Sequence, residues 1–153
     1  MAYEVSTAGI LVKYAVEATA GTRPTSGYTT IPNITVTPAI SGEPETIEVT
    51  DLSDTTWRRY IAGLKDPGGA VSFTVHLTTA FITAWETLVS AAATAKAASK
   101  ATWFEIYIPG VKSFYFAGDP VALGLDEQDV GSAVETSAYV VVNDVEGFDT
   151  ASS

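Results

Sequence analysis

The chain contains no cysteine. That absence excludes disulfides, thiolate nucleophiles and every cysteine-bearing zinc site. Histidine occurs once, as His76. A Ser–His–Asp triad would have to be built on it, yet no Gly-x-Ser-x-Gly elbow is present. His76 falls on the polar side of an alternating segment, where a histidine is ordinarily a solvated surface residue. Basic residues are few and stop early. The 153 residues hold 8 Lys+Arg against 18 Asp+Glu, a net charge of −10. Through Lys112 there are ten acids and eight bases; from Ser113 onward there are eight acids and no base. A chain so poor in cations is unsuited to wrapping nucleic acid, which needs Lys and Arg to neutralise phosphates. No apolar run approaches the ~18 uninterrupted residues of a membrane span. The Met-Ala-Tyr-Glu start has neither a basic region nor an apolar core, so no secretory signal is expected. Walker and Gly-x-Gly-x-x-Gly phosphate loops are missing too.

What is present describes a packed protein. Hydrophobic residues make up 46% and charged ones 17%, which argues for a globular core rather than disorder. The length fits one domain, 1–153, able to bury roughly 68–70% of its unfolded surface. So low a charge density also fits a surface partly covered by another subunit.

Period-two alternation runs through most of the chain. Ile10, Val12, Tyr14 and Val16 oppose Lys13 and Glu17. A Gly/Thr/Ser/Pro-rich loop fills 18–30. Ile34, Val36 and Ile40 then alternate with polar residues, and Pro32 and Pro38 make this an edge strand. In 45–52, Ile47 and Val49 are expected to face inward, with Glu48 and Thr50 outward. Residues 53–66 keep no clean period, and the turn 66–69 precedes Val71, Phe73, Val75 and Leu77. The period then changes: Phe81, Trp85, Leu88, Ala92 and Ala95 make one helical stripe. Thr78 or Thr79 can cap that helix, and Lys96 and Lys100 suit its C-terminal end. A hairpin follows, 102–108 and 111–118 around Pro109-Gly110, then a short apolar run at 121–125 and a β-rich segment at 132–144. The expected fold is mainly β: two packed antiparallel sheets, as a sandwich or barrel, flanked by one helix at about 80–99.

Chemistry-bearing clusters are sparse. Asp126, Glu127 and Asp129 lack the EF-hand spacing and read as a solvated acidic loop. Neighbouring carboxylates in one loop cannot face each other across a glycosidic bond. Asn33-Ile34-Thr35 matches a glycosylation acceptor, a chance match where no secretion signal is expected. Trp103 and Tyr107 share the outward side of a strand, where they either stack a carbohydrate or cover a neighbouring element. No catalytic residue, metal or cofactor is assigned, and an enzyme is not expected.

The most informative stretch, 31–69, reads IPNITVTPAISGEPETIEVTDLSDTTWRRYIAGLKDPGG. Its strand ETIEVTDL, the aromatic and basic WRRY, the phrase YIAGLKDPG and the following strand AVSFTV resemble the tail tube (major tail) protein of long non-contractile-tailed bacteriophages. The closest phrases span about 25 residues, and the order of parts is similar over most of the chain. The related tube of type VI secretion shares the architecture. The resemblance implies two β-sheets with a flanking helix, hexameric rings joined edge to edge, and rings stacked into a tube for DNA delivery. A tape-measure protein would fill the lumen; tail terminator and tail-tip proteins would bound the tube. The expected place is the virion tail, after assembly in the host cytoplasm. DNA would pass without being bound, and no membrane is involved.

Under that resemblance, 51–66 is an extended stacking arm and 146–153 a flexible C-terminal tail. Asp51, Asp54, Trp57, Arg58, Arg59 and Tyr60 are the subunit-interface candidates, because Arg, Trp and Tyr are enriched at interface hot spots. The competing reading is a local hairpin with Trp57 packed on its own domain. Glu43, Glu45 and Glu48 are candidates for lumen charge, since an acidic wall repels phosphate; six copies at −10 each carry −60 per ring. Acids on the outer surface, serving solubility, remain the alternative. A carbohydrate- or receptor-binding β-sandwich is the reading from a different class.

Overall fold

A computed structural model describes residues 6, 8–41, 44–65 and 69–153. Nine strands and one helix alternate along it: β1 (Leu11–Val16), β2 (Thr29–Thr30), β3 (Ile34–Val36), β4 (Pro44–Glu48), β5 (Tyr60–Lys65), β6 (Ala70–His76), α1 (Thr79–Ala97), β7 (Thr102–Tyr107), β8 (Ser113–Pro120) and β9 (Glu135–Asp149). The expectation of a mainly β protein with one helix holds. The two sheets are unequal. Seven strands form one curled sheet in the order β2-β1-β7-β8-β9-β6-β3, and β4 and β5 pair only with each other. The turns expected at 41–44 and 66–69 fall largely outside the described residues.

Helix α1 forms where the period changes. Its Thr78 cap accepts the Phe81 amide at 3.1 Å. At the other end Ser99 turns left-handed (φ 58°), and the Lys100 amide returns to the Ala95 carbonyl at 2.8 Å. The stripe Phe81, Trp85, Leu88, Ala92 and Ala95 is the buried side, as its spacing requires. It packs on one face of the large sheet against Phe73, Phe104, Phe116, Val75 and Val140. The Phe104 and Phe116 rings stack at 5.2 Å. Each such side chain, fully buried, is worth roughly 1.5–3 kcal/mol.

The other face of β1, β7 and β8 is also covered, by the 17–28 loop and the chain end. Trp103 is only 7% exposed and donates its indole N–H to Glu17 at 3.0 Å. It therefore covers its own domain and offers no carbohydrate platform. Nor does the chain end fray. β9 runs on to Asp149, Ser152 donates its amide to Glu105 at 3.0 Å, and the Tyr115 hydroxyl donates to the Thr150 carbonyl at 2.7 Å. Gly147 (φ 94°) and the register shifts of the β8–β9 ladder break the alternation that would have revealed this strand end in sequence. Arg23 closes the cover. It pairs with Glu146 and with Asp149 (2.8 Å), and its guanidinium lies 3.9 Å from the Tyr115 ring centroid.

Burial works against the Glu105 charge, but the neighbouring hydroxyls of Ser113 and Ser152, the Ser152 amide and the Tyr115 phenol outweigh it and hold the carboxyl below its usual range. Burial together with the Glu105 carboxylate pushes the Tyr115 phenol up to about 12. A lowered carboxyl contributes stability that is present above its unfolded value near 4.5 and lost as pH falls through the folded one. Urea midpoints should therefore drop as pH falls below about 4.5, and Glu105→Gln should flatten that dependence. A second expectation concerns backbone approach. A Cβ on Gly118 would meet the Val141 carbonyl oxygen at 2.6 Å, whereas one on Gly124 meets nothing within 4 Å. Gly118→Ala should cost about 1–3 kcal/mol by urea unfolding, while Gly124→Ala should leave the midpoint unchanged or slightly raised.

Candidate functional site

The β4–β5 hairpin stands off the main sheet. Its two strands have substantial contacts only with each other among the described elements. An isolated two-stranded ribbon is marginal in water, so this one depends on its own ladder and loop. Ile47 sits opposite Ile61, and Glu48 opposite Tyr60. The ladder extends past β4, with Val49 donating its amide to the Arg59 carbonyl at 2.9 Å. The strand β5 emerges from a stretch without sequence period because both of its faces are solvated and no core imposes alternation on it. Thus 51–66 is half loop and half strand.

The inward orientation expected for Ile47 and Val49 is not found. Both are exposed, as are Leu52, Tyr60 and Ile61. Trp57 is 81% exposed and Leu64 87%, so Trp57 does not pack on its own domain. Alternation along 45–52 is real, but the apolar side points to solvent in the single chain. A contiguous apolar protrusion of this kind marks an interaction surface.

The loop at the hairpin's end is tightly organised. Asp51 accepts the Ser53 amide at 2.8 Å and also its hydroxyl; Asp54 accepts the Asp51 amide at 3.0 Å. Arg59 reaches back with Nε to Asp54 at 2.8 Å and with Nη2 to Asp51 at 3.1 Å. Hydrogen bonds from the Ser53 side chain and backbone hold the Asp51 carboxyl below its usual range. The Asp51 amide and Arg59 do the same for Asp54. Of the six interface candidates, the structure therefore brings Asp51, Asp54 and Arg59 together as an internal brace. Trp57, Arg58 and Tyr60 are left presented outward; Arg58 has a loose contact with Glu48 at 3.9 Å.

The lumen-charge candidates do not form one wall. Glu43 lies outside the described residues. Glu45 lies beside Gly63 and Ile47, and Glu48 faces Tyr60. Three positions apart on one strand, they point to opposite faces of the ribbon. The sequence reading also missed Leu52, Ile61 and Leu64 as presented surface. Their apolar character was visible; their lack of a core partner was not. His76 lies 3.6 Å from Glu135 at the rim of the sheet. Among the described residues no group of His, Asp and Glu is arranged to hold a metal ion. Two short strands, β2 and β3, form the edges of the large sheet, and Val36 on β3 is exposed.

Removing the brace should loosen the arm without unfolding the domain. Arg59→Ala is expected to leave the urea midpoint nearly unchanged while chymotrypsin cleavage at Trp57 becomes faster.

No protein-family profile matches the sequence, and no curated protein matches it. Solved structures do match the fold. A chain in the tube-terminating cap of the anti-feeding prophage aligns with a TM-score of 0.61 at 13% identity, over 99% of this chain and 94% of that one. A chain in the 6-fold symmetrised baseplate of the same particle gives 0.59 at 11%, over 96% and 97%. A chain in the C6-symmetric tail of an empty GTA particle gives 0.56 at 14%, over 94% and 98%. The fold of this chain is that of components of phage-tail-like particles, matched over nearly the full length of both partners.

Proposed function

We propose that this protein is a structural subunit of a phage-type tail tube, assembling as hexameric rings that stack into a conduit for DNA. The observation that supports this most directly is the β4–β5 hairpin: an internally braced, apolar, outward-facing arm with no packing partner in its own domain. The short edges β2 and β3 give a second reason. An open sheet edge is a liability unless another chain covers it, and a ring of six copies covers every lateral edge through closed heterologous contacts. Chains of similar fold occur in assemblies described with six-fold and C6 symmetry, which favours six copies per ring.

In this reading the arm bridges successive rings. Trp57, Tyr60 and Arg58 supply the contacts, and the Asp51–Asp54–Arg59 brace keeps the loop ordered before docking, which lowers the entropy lost on association. The acidic balance keeps the tube from holding the DNA it passes. A tape-measure protein would occupy the lumen, with terminator and tail-tip proteins at the ends, within a long non-contractile tail. The subunit performs no catalysis. A type VI secretion tube would use the same architecture, and gene neighbourhood separates the two.

Negative-stain microscopy of the purified protein, with and without a tail-tip seed, should show annular particles and tubes. A chain that remains monomeric at all concentrations and never enters tails overturns the proposal. Arg58→Glu combined with Trp57→Ala should leave the circular dichroism spectrum unchanged and stop tube growth. Normal tubes from that variant would remove the arm from the mechanism.

A further inference from the structure

A groove of about 670 Å³ runs between α1 and the coil 121–125. Leu77, Ile82, Val89, Leu123 and Leu125 line it, and Glu86 stands on its rim. The coil is pinned in place: Trp85 donates its indole N–H to the Val121 carbonyl at 2.8 Å, and the Thr136 hydroxyl donates to the Gly124 carbonyl at 3.1 Å. Ile82, Glu86 and Val89 make a second helical stripe, spaced by four and three, beside the buried one. A helix needs one stripe to pack on its own sheet; this second stripe is left half-exposed beside the groove. Leu125 and Val130 are exposed in the same segment. The surroundings are acidic, with Glu86, Asp126, Glu127 and Asp129 and no base after Lys112.

The arm has the opposite character. It projects an indole and a leucine, Trp57 and Leu52, next to the guanidinium of Arg58. It also springs from the other end of the molecule. Ser41 and Lys65 at its base share a cleft with residues 143–147 of β9, whereas the coil is tied to Thr136 and Tyr139 near the start of that strand. At ~3.3 Å per residue these places are about 20 Å apart along β9. A protrusion and a hollow at different ends of one molecule, complementary in charge and both apolar, make a heterologous self-contact.

The geometry points to this groove as the seat for the arm tip of a second copy. Trp57 enters beside Ile82, Val89 and Leu125, and Arg58 meets the acids of the rim and of 126–129. This inference rests on the tube reading above and names where the arm lands. One indole buries about 150–250 Å², far below the ~1,600 Å² of a standard interface. The contact therefore acts through repetition around a ring rather than as a free dimer.

The absence of cysteine makes the test direct. Thr56→Cys on the arm and Ser90→Cys beside the groove are combined in one chain, assembled, treated with a short bis-maleimide and run on a denaturing gel. The expected result is loss of the monomer band into a ladder of covalent dimers, trimers and longer chains in tubes, with none in dilute monomer. Thr56→Cys with Ser26→Cys, on the 17–28 loop, should give no ladder. Leu125→Cys replaces Ser90→Cys if that position blocks assembly. If both groove variants fold yet block assembly while the Thr56/Ser26 chain assembles, the groove is still identified as the seat. Tubes without a ladder from either groove position overturn the groove and leave the tube reading intact; another surface or partner then receives the arm. Failure of the parent chain to form tubes overturns both.

Discussion

Strand β9 is hydrogen-bonded along both of its sides, and the other parts of the molecule take their places from it. Val140 lies opposite Val71 of β6 on one side and Pro120 of β8 on the other. Alternation then sends Thr136, Ala138, Val140 and Val142 into the core beneath the helix. The ladder to β8 shifts register twice, between Tyr115 and Phe116 and between Ala117 and Gly118. Shifts of this kind bend a strand and increase its twist, which lets one seven-stranded sheet curl around the Phe104–Phe116–Trp85 core. Gly118 is the point of closest approach, where only a residue without a Cβ fits against the Val141 carbonyl.

Because β9 is long, its two halves serve different neighbours. The first half anchors the coil that runs alongside α1. The second half carries Glu146 and Asp149 to Arg23 and brings the chain end over Glu105. The one-sided charge of the C-terminal third is thereby partly undone in space. Arg23 and Lys96, both from earlier in the chain, pair with Glu146, Asp149 and Asp119. The acids at 126–129 keep no such base contact among the described residues, so negative potential concentrates beside the helix groove rather than along the whole C-terminal segment.

The β4–β5 arm follows a different logic from the domain that bears it. No hydrophobic core holds it; backbone pairing and a small ionic loop do. Surface ion pairs are individually weak. The Asp51–Asp54–Arg59 cluster instead confines one loop, and its use is to present Trp57 and Arg58 in a limited set of orientations. An arm of this kind is stable enough to exist alone and apolar enough to need covering.

Local periodicity alone determined the helix stripe, its Thr78 cap, the Pro109-Gly110 hairpin, the edge character of 34–36 and the mainly β class. Each depends on neighbours within a few residues, and side-chain spacing records such relations directly. Three matters were decided only by tertiary structure. Trp103 and Glu105 alternate like solvent-facing residues, but distant chain at 17–28 and 150–153 covers them. Ile47 and Val49 alternate like core residues, but no core lies beneath them. Arg58 and Arg59 are adjacent and chemically alike, yet one closes its own loop and the other is presented outward. Spacing fixes which side chains share a face; what lies against that face depends on where remote segments, or other chains, come to rest.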